Sequence, residues 1–199
     1  MTDSFRLHVD ALPFDCDIDV FDQAVRRAMF NVHWYLAWLI EQGEEQPGAT
    51  YSGLVCSPVR EHGRPYLDDV LLEFHLGDGP RRRLVNAAAK LDWMQLNPGV
   101  SMETVFAEEP WRLGSGQFRF GHAVVHRGFP GAGSGLSQAN DRKVMVEFLD
   151  KLTDGIARHC SAQIAKRGEG QYWAGGDNTP RPEYAQFEAL PEGATLTRR

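Results

Sequence analysis

The sequence is poor in the features that would name a chemistry outright. Its three cysteines, Cys16, Cys56 and Cys160, are odd in number, far apart and in no CxxC pair, which excludes a disulfide framework and a self-contained zinc module. Reduced thiols fit a cytoplasmic setting. Arg81-Arg82-Arg83 is the only basic run and the net charge is −6. That balance argues against a nucleic-acid partner, whose phosphates demand basic groups. No apolar run approaches the roughly 20 residues of a membrane span. The densest stretch, Ala28 to Ile40, contains Asn31 and His33 and follows Arg26 and Arg27. The first ten residues, MTDSFRLHVD, have neither the basic start nor the apolar stretch of a secretory leader.

What is present describes a folded protein. The 199 residues are 42% hydrophobic and 24% charged, enough for one well-buried domain and far from a disordered composition. Residues 1–167 form the expected domain. From Gly168 the composition turns to Gly, Pro and polar residues with Tyr172, Trp173, Tyr184 and Phe187 interspersed, so residues 168–199 read as an extended tail docked by its aromatics.

Asp15, Asp17 and Asp19 precede an apolar-periodic stretch and suit a helix start as caps and as partners of the positive dipole end. The spacing predicts a helix from Val20 to Gln42, ended by Gly43. Phe21, Val25, Ala28, Val32, Leu36 and Leu39 make one apolar stripe; Phe30, Trp34 and Trp38 make a second on another side. A helix apolar on two sides covers a sheet and meets something else, the tail or a second subunit. A homodimer is the reading adopted.

Tyr51 to Arg60 and Pro65 to Leu76 flank the turn-like EHGR and read as a hairpin with one face inward. Residues 81 to 96 keep helical spacing through Leu84, Ala87, Ala88, Leu91 and Met94 and stop at Asn97-Pro98-Gly99. A short helix follows from Ser101 to Ala107, then a strand from Phe118 to Arg127. A glycine-rich turn comes next, and a long helix capped by Ser137, with Gly155 expected to bend it. Helix, hairpin, helix, short helix, strand and helix suit an α+β fold, an antiparallel sheet packed with helices, better than a parallel βαβ array.

The junction of strand, glycine-rich turn and helix offers free amides at a helix N-terminus, where an anionic or polar ligand atom can be held. Gly131, Gly133, Ser134 and Gly135 are therefore candidate ligand contacts, with a tight connection, a bulge or a close backbone approach as the alternative use of such glycines. The run meets neither GxGxxG nor the Walker pattern, and Gly133-Ser134-Gly135 is too short for a nucleophile elbow. His122 and His126 are candidate polar contacts or axial ligands. Four strand residues separate them by roughly 13 Å, too far to share one metal ion. Arg82, within the basic run, is a candidate carboxylate partner. The aspartates at 15, 17 and 19 fail as a calcium loop, since Val20 and Arg26 stand where glycine and glutamate are required. Cys56 and Cys160 read as small buried hydrophobes.

Ala88-Ala89-Lys90, Gly128-Phe129-Pro130, and Ser134-Gly135-Leu136 followed by Asp141 and Val144 to Leu149 (VMVEFL) resemble the small heme-binding and heme-degrading-domain proteins of the glycolate-operon type. The likeness covers the element order from about Val20 to Lys166. It implies a profilin-like or PAS-like sandwich and a ligand-binding or heme-handling role, and carries no catalytic residue onto this chain. That family has a further strand where this chain has only Gly131-Ala132-Gly133. The leading expectation is a cytoplasmic small-molecule binder, its ligand anionic or heme-like. The alternatives are a non-enzymatic interaction or assembly module using residues 20–42 and the aromatic tail, and an enzyme pairing a histidine with Glu108 or Asp141.

Overall fold

The computed structural model describes residues 3–9, 12, 16–59, 63–112 and 122–167. The EHGR turn lies partly, and residues 113–121 and the tail from 168 wholly, outside them.

Among the described residues five strands form one antiparallel sheet: β1 (Ser4–Leu7), β2 (Tyr51–Cys56), β3 (Val70–Leu76), β4 (Ala123–His126) and β5 (Phe129–Ser134), in the order β1-β3-β2-β5-β4. The helices that accompany them are α1 (Ile18–Glu41), α2 (Arg82–Leu96), the short α3 (Met102–Glu108) and α4 (Gln138–Arg167). The α+β class and the antiparallel sheet stand as expected. Strand β1 had no signal long enough to read; it is four residues that, among the described residues, pair with β3, Phe5 lying opposite Phe74. The hairpin is present, with Tyr51 opposite Leu76 and Gly53 opposite Phe74, but β2 is buried on both faces rather than one, and β3 starts only at Val70, after a 3-10 turn at Tyr66–Asp69.

Helix α1 begins where the aspartates place it. The Asp17 carboxylate accepts from the Asp19 amide at 2.8 Å, and Gly43 follows the helix at φ 74°, a left-handed conformation that glycine adopts without strain. Its inward stripe of Phe21, Val25, Ala28, Val32, Leu36 and Leu39 is buried against α4 and one face of the sheet. There Phe74 of β3 and Phe148 of α4 stack with ring centroids 4.0 Å apart. Burial of each such ring contributes about 1.5–3 kcal/mol. Helix α2 covers the opposite face through Ala87 and Leu91, packed on Leu54, Cys56 and Ala132. Gly155 does not interrupt α4. A Cβ there would sit 2.7 Å from that of Ala24, so this glycine lets α1 and α4 close on each other.

One expectation is overturned. The glycine-rich segment is no turn: Gly131, Gly133 and Ser134 belong to β5, a buried strand hydrogen-bonded to β2 on one side and β4 on the other. Its glycines serve close approach. A Cβ on Gly131 would meet Met145 Sδ at 2.7 Å, one on Gly53 would meet Phe74 at 2.5 Å, and the Tyr51 ring occupies the space that a side chain at Gly133 would need. Gly53 and Gly133 are cross-strand neighbours, so the sheet has a bare saddle on which α4 and two aromatic rings lie.

Candidate functional site

The end of β5 holds a buried polar cluster. Lys90, on the inward side of α2, is fully buried, and its ammonium donates to the Gly133 carbonyl and to Asp141 Oδ2, the latter at 2.8 Å. The other oxygen of Asp141 accepts from the Leu136 amide at 3.0 Å, and the Tyr51 hydroxyl donates to the Asp141 carbonyl at 2.9 Å. Burial pushes the Lys90 ammonium below its usual range and the Asp141 carboxyl above its own; each partner's charge opposes the shift. The Tyr51 phenol is held well above 10.0, by burial first and by Asp141 second. A sealed pair of this kind is a fastener between α2 and α4. Sequence reasoning placed Lys90 only within a family likeness. Its signal was a lysine three residues after Ala87, on the apolar stripe of α2.

Two of the amides just ahead of α4 are taken by this chain. Leu136 N–H goes to Asp141, and Ser137 N–H goes to Glu45 Oε1 at 2.8 Å. Gly135 follows the strand at φ 137°, with Thr50 and the Arg83 guanidinium pressed against it. The basic run is divided: Arg83 donates to the carbonyl and hydroxyl of Thr50, while Arg82 is exposed at the first position of α2.

His122 is buried just before β4, its Nε2 3.4 Å from the Gln138 amide nitrogen. His126 ends β4 with Nε2 3.3 Å from Asp150 Oδ1. Among the described residues no group of three His, Cys, Asp or Glu side chains is placed to hold a metal ion. The carboxylate of Asp141, one proposed partner for a histidine, is occupied by Lys90; Glu108, the other, is exposed at the end of α3.

His122 also borders a cleft of about 670 Å³ between the end of α2, the Pro98–Ser101 loop and β4, and an adjoining one of about 490 Å³ beside α3. Arg142 lines both. Trp93 lines the larger, its buried indole N–H without a hydrogen-bond partner among the described residues.

The third place is the outer side of α1. Phe30 is 65% exposed, Trp34 63% and Trp38 45%. The rings of Phe30 and Trp34 meet edge to face at 6.3 Å, and Trp38 stacks on Tyr35 at 5.8 Å. One flank of the helix is taken by the N-terminal segment: His33 Nδ1 lies 2.8 Å from Asp3, and Arg26 covers the Phe5 ring at 4.9 Å. Single exposed apolar residues are ordinary, but a contiguous aromatic stripe is not.

Comparison with protein-family models, curated proteins and solved structures returned no match. No helix among the described residues is long and apolar enough to cross a membrane.

Proposed function

We propose that this chain is a non-enzymatic assembly module whose working surface is the outer face of α1. The observation that carries the reading is the exposed stripe of Phe30, Trp34 and Trp38 on a helix whose inward stripe is already covered. Aromatic side chains are the residues most enriched at the centres of protein interfaces, where they bury large area at small entropic cost. The test is a photoreactive benzoylphenylalanine at position 34 in the purified chain. Irradiation is expected to join two polypeptides. Adducts confined to one polypeptide, in particular to residues 168–199, overturn the reading.

A second reading rests on the cleft that His122 and Arg142 share. Its Arg142 wall and the Trp93 N–H, which has no partner among the described residues, suit a small anionic molecule with an acceptor atom. Titration with succinate and with inorganic phosphate, followed by tryptophan fluorescence, tests it. Saturable binding lost in Arg142→Ala supports it; no change in emission at millimolar ligand removes it.

A further inference from the structure

We infer that the occupant of the α1 face is a second copy of this chain, packed antiparallel about a two-fold axis at Trp34; this rests on the assembly reading above. The argument is one of symmetry. At about 100° of turn per residue, Arg27, Phe30, Trp38 and Glu41 all lie within about 40° of Trp34 around the helix. Arg27, Phe30, Trp38 and Glu41 are all exposed. Arg27 lies seven positions before Trp34, and Glu41 seven positions after it. An antiparallel copy centred on Trp34 therefore brings Arg27 against Glu41, Phe30 against Trp38, and Trp34 against its own equivalent. The Arg27–Glu41 meeting occurs twice, once at each end of a stripe about 21 Å long.

The charges suit that register and no parallel one. Among the described residues neither Arg27 nor Glu41 forms an ion pair, whereas the neighbouring Arg26 is held by Asp22 at 2.6 Å on the same helix. A parallel pairing would set arginine on arginine and glutamate on glutamate. An isologous contact of this kind closes on itself, so it ends at a dimer and does not propagate. The six aromatic side chains, about half exposed in each copy, would together remove roughly 600 Å² from water. The stems of Arg27, Asn31, Ala37 and Glu41 extend this toward the roughly 1,200 Å² of the smaller stable interfaces.

The experiment is a reciprocal charge reversal read by light-scattering mass, in the full chain. The wild type is expected to run as a dimer. Arg27→Glu and Glu41→Arg should each weaken it about tenfold, since both end contacts turn from attraction to repulsion. An equimolar mixture of the two variants should restore the dimer. In the mixed pair the introduced carboxylate at position 27 of one chain faces the introduced guanidinium at position 41 of the other, and the opposite end keeps its original Arg27–Glu41 meeting. Both positions are exposed, so unchanged far-ultraviolet dichroism is expected and serves as the folding check. A wild-type monomer, or a dimer indifferent to both reversals and to their mixture, overturns the inference. Photo-adducts between chains at position 34 combined with failed rescue would remove this register while leaving the assembly reading intact. Intrachain adducts would remove both.

Discussion

Strand β5 and helix α1 distribute their side chains in opposite senses. The strand is buried along its whole length yet consists largely of glycine, alanine and serine, while the helix carries three large aromatic rings on its outside. Small residues inside and large ones outside invert the usual partition. The inversion has a separate cause in each place. In β5 the space above the sheet is filled by Met145, Leu149 and Tyr51 reaching in from other elements. On α1 the inner stripe already supplies the packing, and the outer rings stay exposed on the helix surface.

The contrast breaks most sharply at the fastener beside β5. Lys90→Ala leaves Asp141 buried without its cation and is expected to cost about 3–5 kcal/mol in urea unfolding. The double variant Lys90→Met with Asp141→Asn should recover most of that loss, because no charge then remains uncompensated. A smaller effect is expected at the saddle. Gly131→Ala forces a methyl group against Met145 and Leu149 and should cost about 1–3 kcal/mol, measured by the same titration. On the α1 side the expectation reverses. At a concentration low enough to hold the monomer, Trp34→Ser should change stability by less than about 0.5 kcal/mol, although it removes a whole indole where Gly131→Ala adds a single methyl group. A loss above about 2 kcal/mol would mean that the ring is packed within its own chain.

The smallest expected effect lies at the far edge of the sheet. Arg127 holds the Asp154 carboxyl below its ordinary value of 3.8, chiefly through a hydrogen bond. Because the folded-state value is the lower one, this contribution is complete above the unfolded value and disappears as pH falls through the depressed one. Thermal melts of Asp154→Asn between about pH 5 and pH 2 should therefore show a slightly shallower acid decline than wild type. Equal slopes would show that the pair contributes nothing.

The periodic elements were legible because helix spacing and capping are local properties: α1, α2, α3 and α4 fall within a few residues of their expected bounds. The β2–β3 hairpin was legible through its alternation. Strand β5 was not, since glycine has no β-preference of its own. Its place there follows from what other elements project toward it, which no local pattern records. Lys90 was missed as a structural group for a related reason. A lysine on an apolar stripe gains meaning only from a carboxylate 51 positions away, across the end of the sheet. The outer stripe of α1 was readable as a second apolar side, and its exposure is a tertiary outcome.

Lys90 sits in the middle of α2 and Asp141 in the first turn of α4, on opposite faces of the sheet, and their contact passes round the end of β5. The two layers therefore cannot fray independently. An opening that lifts one helix separates the two buried charges, so amide protons in α2 and in the early turns of α4 are expected to exchange as one cooperative unit. Deuterium uptake in the two helices should rise together along a denaturant series, and the shared slope should part into two once the Lys90→Met, Asp141→Asn pair unfastens them.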